Sequence, residues 1–312
     1  MKQATREAYG KALAALGQEN ENIIVLDADL SKSTKTAEFA AVCPERFFNA
    51  GIAEQNMTGV AAGLAASGKV PFISSFAVFA TGRNFEQIRN SIAYPRLNVK
   101  IAATHAGITV GEDGGSHQSI EDISLMRTLP NMTVVVPCDD VETAGAVRAI
   151  AEMQGPCYLR LGRLATPQVN PDDYKFELGR GVVLREGADA VIFACGMMVA
   201  PALEAAEKLA EEGLSAAVVN IHTIKPLDKE LVLAYVAKCK AVVTAEEHNV
   251  IGGLGSAVAE VMAEAGCGRL GRIGVQDSFG QSGKPAELLA HYGLTANDIA
   301  AKVKEIAAKI RK

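Results

Sequence analysis

The stretch Gly51-Ile52-Ala53-Glu54-Gln55-Asn56-Met57 leads into a run of small and apolar residues that continues to Ser67 and stops at Gly68. It reads as a helix, Glu54 to Ser67, with one carboxylate in its first turn and a glycine closing it. The apolar run Val70-Pro71-Phe72-Ile73 follows at once and reads as a strand, expected over Pro71 to Phe76. Phe76 and Phe79 lie at and just past the end of that strand, so a short helix-to-strand return brings their rings toward Glu54. An acid beside aromatic faces suits a flat heteroaromatic, because rings stack on rings and a buried carboxylic acid hydrogen-bonds a ring nitrogen. The plainer reading of Glu54 is a first-turn glutamate complementing the helix dipole.

The same alternation extends in both directions. Short β-rich runs, Ile23 to Leu26, Val99 to Thr104, Thr133 to Val136 and Cys157 to Leu161, alternate with helical patterns such as Asp140 to Ala151, which opens on an acidic cap. That is the pattern of βαβ units around a mainly parallel sheet, here a first domain over residues 1–165. The polar, proline-bearing stretch from Thr166 to Asp173 reads as a linker, taken to residue 180. A smaller α/β domain over 181–312 then has strands at Ala190 to Ala194, Ala216 to Asn220, Ala241 to Ala245 and Leu270 to Val275. Its helices run from Pro201 to Glu212 and from Leu254 to Ala265, and Thr295 with Asp298 caps the last one. Gly252-Gly253-Leu254-Gly255 marks a helix start rather than a dinucleotide site, because the full glycine fingerprint is missing, and His248 beside it reads as a loop residue.

A chain of 312 residues that is 49% hydrophobic can bury real cores. The opening residues are polar and no apolar run approaches membrane-spanning length, so a soluble, cytoplasmic protein is expected. A net charge of −5 with dispersed Lys and Arg argues against a nucleic-acid or membrane surface. Six cysteines without a Cys-x-x-Cys pair suit reduced core thiols better than disulfides or zinc. The basic end, Lys309 to Lys312, suits the C-terminus of a final helix.

The loop from Thr104 to Gln118 is the richest in chemistry, with His105, Glu112, Asp113, His117 and four glycines at the end of an expected strand. Parallel sheets place ligand loops there. Asp113 can accept from a sugar hydroxyl, while His105 and His117 can donate to oxyanions or move protons near neutral pH. A glycine-rich turn satisfying its own backbone is the plainer alternative. A metal site ranks last, since the two histidines lack a regular short spacing and no third ligand is evident. Arg163 follows a strand end, where a guanidinium can pair with a terminal phosphate. By default Arg6 is a solvated helix arginine, Ser33 a helix-start cap and Asp29 an acid serving a loop turn.

Together these residues resemble the pyrimidine-binding domain of the thiamine diphosphate enzymes, and closely the C-terminal half of transketolase. Ile224-Lys225-Pro226-Leu227-Asp228 and Ser282-Gly283-Lys284-Pro285-Ala286-Glu287-Leu288-Leu289 resemble the transketolase C-terminal domain, so the resemblance covers essentially the whole chain. It implies that Glu54 meets the ring nitrogen of the cofactor's aminopyrimidine and promotes its activation, with Phe76 and Phe79 packing the ring. It implies that Asp113, His105, His117 and Asp29 lie near a sugar, and that Arg163, Ser33 and Arg6 contact its phosphate. Between Phe79 and Arg89 the spacing is one residue longer than in better-known members, which leaves Phe85 as another candidate for the stacking ring. The family's diphosphate and Mg2+ motif, Gly-Asp-Gly followed at a distance by asparagine, is broken here as Gly111-Glu112-Asp113-Gly114. The resemblance therefore implies the C-terminal subunit of a split transketolase. It implies thiamine diphosphate as cofactor, its diphosphate held through Mg2+ by an N-terminal transketolase subunit, with two copies of each chain assembling around pyrimidine-domain and diphosphate-domain contacts and sugar phosphates as substrates. Proteins like 1-deoxyxylulose-phosphate synthase, the β subunit of a 2-oxo acid dehydrogenase and a non-catalytic scaffold are the alternatives.

Overall fold

The computed structural model describes residues 2–239 and 241–310. Arg311 and Lys312 of the basic end lie outside the described residues. Strands that are apolar on both faces need cover on both sides, and parallel connections supply it with helices. The larger sheet has seven strands, in the spatial order Thr223–Lys225, Thr133–Val135, Cys157–Arg160, Lys100–Ala103, Val70–Ser74, Ile23–Asp27 and Phe47–Asn49. All its pairings are parallel except that of Thr223–Lys225 with Thr133–Val135. Along Ile23–Asp27 the side chains alternate: Ile23 and Val25 face a core with Tyr9 and Leu13 of helix Thr5–Glu19, whereas Ile24 and Leu26 face Met57 and Ala61 of helix Glu54–Ala66. The second sheet runs Leu270–Val275, Ala241–Asn249, Ala190–Ala194, Ala216–Asn220 and Val182–Arg185, with only the last strand antiparallel to its neighbour.

Strand Thr223–Lys225 belongs by position to the second half of the chain yet closes the edge of the first sheet. The stretch expected as a linker begins inside another short strand, Ala165–Pro167, which pairs antiparallel with Lys2–Ala4. Thr295 and Asp298 do form a reciprocal cap: Asp298 accepts from the Thr295 amide at 3.0 Å and donates its own amide to Thr295 Oγ1 at 3.3 Å. His248 is a correction. It lies inside strand Ala241–Asn249, fully buried, with Nε2 accepting from the Ser124 amide at 3.3 Å and Nδ1 donating to the Asn249 carbonyl at 2.6 Å. The strand runs four residues beyond the expected Ala245 because Glu246, Glu247 and His248 are polar residues with buried partners, which hides them from a reading based on apolar runs.

A buried ion pair of the first half also reaches the second. Arg160 donates from Nε to Asp122 Oδ2 at 2.7 Å and from Nη2 to Oδ1 at 3.1 Å, and Nη2 also reaches the Glu247 carbonyl at 2.9 Å. Tyr158 donates to the same carboxylate at 2.5 Å. Burial alone pushes the Asp122 carboxyl up, but the Arg160 charge and these donors outweigh it and hold the group below its ordinary value. Arg160→Met leaves that carboxylate buried without its counter-charge. It should lower unfolding stability by about 3–5 kcal/mol. Chemical denaturation measures this, and adding Asp122→Asn in the same chain should restore part of the loss.

Candidate active site

Chemistry-bearing residues gather where the central strands of the larger sheet end: Asp29 after Ile23–Asp27, Phe76 after Val70–Ser74, His105 after Lys100–Ala103 and Arg163 after Cys157–Arg160. Glu54 opens helix Glu54–Ala66, whose return through Val70–Ser74 sets Ser75 Oγ 3.5 Å from its carboxyl. The carboxyl is 1% exposed. Phe76 and Phe79 lie near-parallel, 13° between planes and 6.2 Å between centroids, with the His117 ring edge-on at 5.4 Å from Phe79. Phe85, the other candidate for stacking, packs instead against the core under Glu54–Ala66. Between Phe79 and Arg89 the chain takes π-helical turns, at Phe79–Arg83 and from Ile88 on to Ala93. Such turns close i→i+5 bonds and so hold one residue more than an α-turn.

Sequence reasoning passed over Arg83. Its Nη1 lies 2.9 Å from both oxygens of Glu54, and its guanidinium sits 4.5 Å from the Phe79 centroid. The only hint in the sequence is its place after Gly82.

Arg6 is the second correction. Instead of pointing to solvent it is half-buried, donating to the Ser33 carbonyl at 3.0 Å and to His105 Nε2 at 3.2 Å. Arginine can only donate, so Nε2 is the acceptor and the His105 proton sits on Nδ1, 2.8 Å from Thr104 Oγ1. Burial first, then the charges of Arg6 and Arg163, push His105 down to about 3, so its ring is neutral in this chain and not poised near pH 7. It also stacks on Phe76 at 3.8 Å and takes a left-handed backbone, φ 58°. Ser33 presents its carbonyl rather than capping a helix start. The turn Ser31–Thr34 is held by buried Asp27, which accepts from the Leu30 amide and from the hydroxyls of Thr34 and Thr36. Asp29, exposed and at φ 65°, exchanges hydrogen bonds with Asn49. Arg163 donates to the Val110 carbonyl and lies 3.5 Å from Glu112, at the root of the loop carrying exposed Asp113.

That loop is held by the second domain. Ile108 and Ile120 insert into its core, Gln118 donates to Ile108 O and Gln281 O at 3.0 Å each, and Glu247 accepts from the Thr109 amide at 2.7 Å. Gly107 adopts φ 82° directly against the Glu247 carboxyl, where a Cβ would overlap it.

Fold and site together define a pyrimidine-binding domain of the thiamine diphosphate enzymes joined to a second α/β domain. The transketolase pyrimidine-binding domain family matches residues 1–168 and the transketolase C-terminal domain family residues 179–299. The chain is 54% identical to a putative transketolase C-terminal section from Methanocaldococcus jannaschii, over 96% of this chain and 95% of that one. It is 45% identical to a 6-deoxy-6-sulfo-D-fructose transketolase subunit from Clostridium sp., over 96% and 94%. It is 38% identical to a 1-deoxy-D-xylulose-5-phosphate synthase from Pelotomaculum thermopropionicum, over 98% of this chain but 48% of that one. Among solved structures, a split-gene transketolase described as an inactive beta4 tetramer superposes with a TM-score of 0.92 at 59% identity, covering 98% of both chains. Transketolase from Campylobacter jejuni gives 0.85 at 25% identity, over 97% of this chain and 47% of that one. The chain belongs to the transketolase family.

That family depends on thiamine diphosphate. The buried Glu54 carboxyl and the Phe76 and Phe79 faces fit its aminopyrimidine, an acid for a ring nitrogen and aromatic faces for the plane. Among the described residues no three His, Cys, Asp or Glu side chains gather to hold a metal ion, and no helix is long and apolar enough to cross a membrane.

Glu247 gives the site a pH signature. Burial raises its carboxyl from 4.5 to about 7, so between those values the folded chain holds a proton that the unfolded chain releases. Its contribution to stability is complete below 4.5, is lost as pH rises to about 7 and is flat above. Glu247→Gln keeps an acceptor for Thr109 and removes the titration. Denaturant midpoints measured across that range should fall less steeply with pH in the variant than in the native chain.

Proposed function

We propose that this chain is the pyrimidine-binding subunit of a two-chain transketolase, moving a two-carbon ketol unit from a ketose phosphate to an aldose phosphate in the cytoplasm. The observation that carries the reading is the Glu54 carboxyl, buried at the start of its helix and bridged through Arg83 to the Phe79 ring, which lies near-parallel to Phe76. Glu54 serves the cofactor's ring nitrogen and the two phenylalanines pack its plane. Bound there, thiamine diphosphate supplies a nucleophilic carbon and an electron sink for cleavage beside a ketose carbonyl. Asp113, His117 and His105 face the sugar, with Asp29 at the rim. His105, neutral and held by Arg6, is a hydrogen-bonding partner, which leaves His117 to move a proton. Arg163, Arg6 and Ser33 hold the phosphate, two guanidiniums meeting a dianion.

A companion N-terminal subunit holds the diphosphate and Mg2+, two copies of each chain forming the enzyme. Support comes from the half-length match to transketolase and from the surface around Glu54. Helix Glu54–Ala66 exposes Gly59, Val60 and Gly63 in a row, and Ile52 beside it is 76% exposed, an apolar face suited to a partner. The matches to 1-deoxyxylulose-phosphate synthases keep a second reading open, in which pyruvate is the donor.

Purified alone, the chain should not turn over xylulose 5-phosphate with ribose 5-phosphate, and the companion chain should restore activity dependent on thiamine diphosphate. Turnover by the chain alone defeats the two-chain reading. Reaction of the complex with pyruvate and glyceraldehyde 3-phosphate, but not with the ketose pair, selects the synthase reading.

Arg163→Ala tests the phosphate site. Losing a charge-assisted hydrogen bond costs about 1.5–3 kcal/mol, so kcat/KM for phosphorylated pairs should fall roughly 10- to 150-fold. Hydroxypyruvate with glycolaldehyde should be nearly unaffected. Equal losses for both pairs assign Arg163 to supporting the Val110 loop.

A further inference from the structure

We propose that Arg83 is a built-in occupant of the pyrimidine site, holding in the unpartnered chain the two surfaces that the cofactor's ring requires. The inference rests on the reading of Glu54 given above. A flat heteroaromatic ring needs two things here, an edge contact to the Glu54 carboxyl and a face contact to a phenylalanine. The guanidinium, itself flat and bordered by N–H groups, takes both, with Nη1 at 2.9 Å from each Glu54 oxygen and the carbon 4.5 Å from the Phe79 centroid. The carboxyl it covers is buried, at 1% exposure, so no water can replace a departing partner cheaply.

Arg83 is also placed to leave. Its side chain is 44% exposed and lies at the end of the π-helical turn Phe79–Arg83, next to Gly82, where an added side chain would meet open space. Departure into solvent costs the guanidinium little, whereas Glu54 gains a new partner only when the ring arrives. The exchange also reverses the demand on Glu54: a guanidinium only donates to it, whereas a ring nitrogen without a proton only accepts. The occupied site carries a conformational cost for cofactor binding, equal to the scarcity of the state in which Arg83 is out.

The test uses the full chain and the free aminopyrimidine of thiamine, 4-amino-5-hydroxymethyl-2-methylpyrimidine, titrated by calorimetry without companion chain. Arg83→Ala should bind the fragment roughly tenfold or more tightly than the native chain, the gain expected if the open state is a tenth populated or less. Arg83→Lys, which keeps the charge but loses the planar fork and guards against a misfolded alanine variant, should show a smaller gain in the same direction. Glu54→Gln added to Arg83→Ala should abolish the gain. Unchanged affinity in both Arg83 variants, with Glu54→Gln still weakening binding, overturns the Arg83 proposal and leaves the Glu54 reading standing. A gain that survives Glu54→Gln supports displacement of Arg83 and removes Glu54 as the recognising acid. Absence of fragment binding in every folded variant overturns the proposal.

Discussion

The pairing of Arg160 with Asp122 is the contact on which the rest of the arrangement depends. One guanidinium ties the end of a central strand, the helix Asp122–Thr128 that follows the glycine-rich loop, and the carbonyl of Glu247 in the other sheet. Because the pair is buried, its geometry is fixed by hydrogen bonds, not left to solvent-facing rotamers. The loop bearing His105, Asp113 and His117 is therefore strung between two domains, and its shape depends on their mutual placement as much as on its own glycines.

Much of the frame was legible because apolar runs and small-residue helices announce themselves. Ala190–Ala194, Ala216–Asn220 and Leu270–Val275 fall where their β-rich runs end, and Glu54 heads its helix as the run from Gly51 suggests. What escaped was everything that depends on partners distant in sequence. Arg6 reads as a surface residue until strand Lys2–Ala4 pairs with Ala165–Pro167 and Thr5 Oγ1 accepts the Gly162 amide, which swings the first helix turn over the strand ends. Arg83, Gln118 and Glu247 have no local signature, since their roles arise from tertiary contacts 29, 163 and 138 residues away. The strand Thr223–Lys225 escaped for the same reason. Three residues carry too little pattern to be seen, and its neighbour lies in the other half of the chain.

Electrostatics within the site are asymmetric. On one side Arg6 and Arg163 lie near a neutral imidazole, a concentration of positive potential that Glu7 and Glu112 offset in part. On the other, the Glu54 carboxylate meets the Arg83 guanidinium, which lies over the Phe79 ring. The two ends of the site thus differ in charge and in surface, guanidiniums around an imidazole at one and a carboxylate bridged by a guanidinium to an aromatic ring at the other.

The strand that crosses from the second half into the first sheet makes the two domains structurally interdependent. A fragment ending between the sheets would leave Thr133–Val135 as a bare parallel edge, with unpaired amides and carbonyls open to any passing strand. Domain shuffling at that junction, or expression of the first domain by itself, would trade a closed sheet for an aggregation-prone one. The unit that can be moved between genes intact is the pair of domains together.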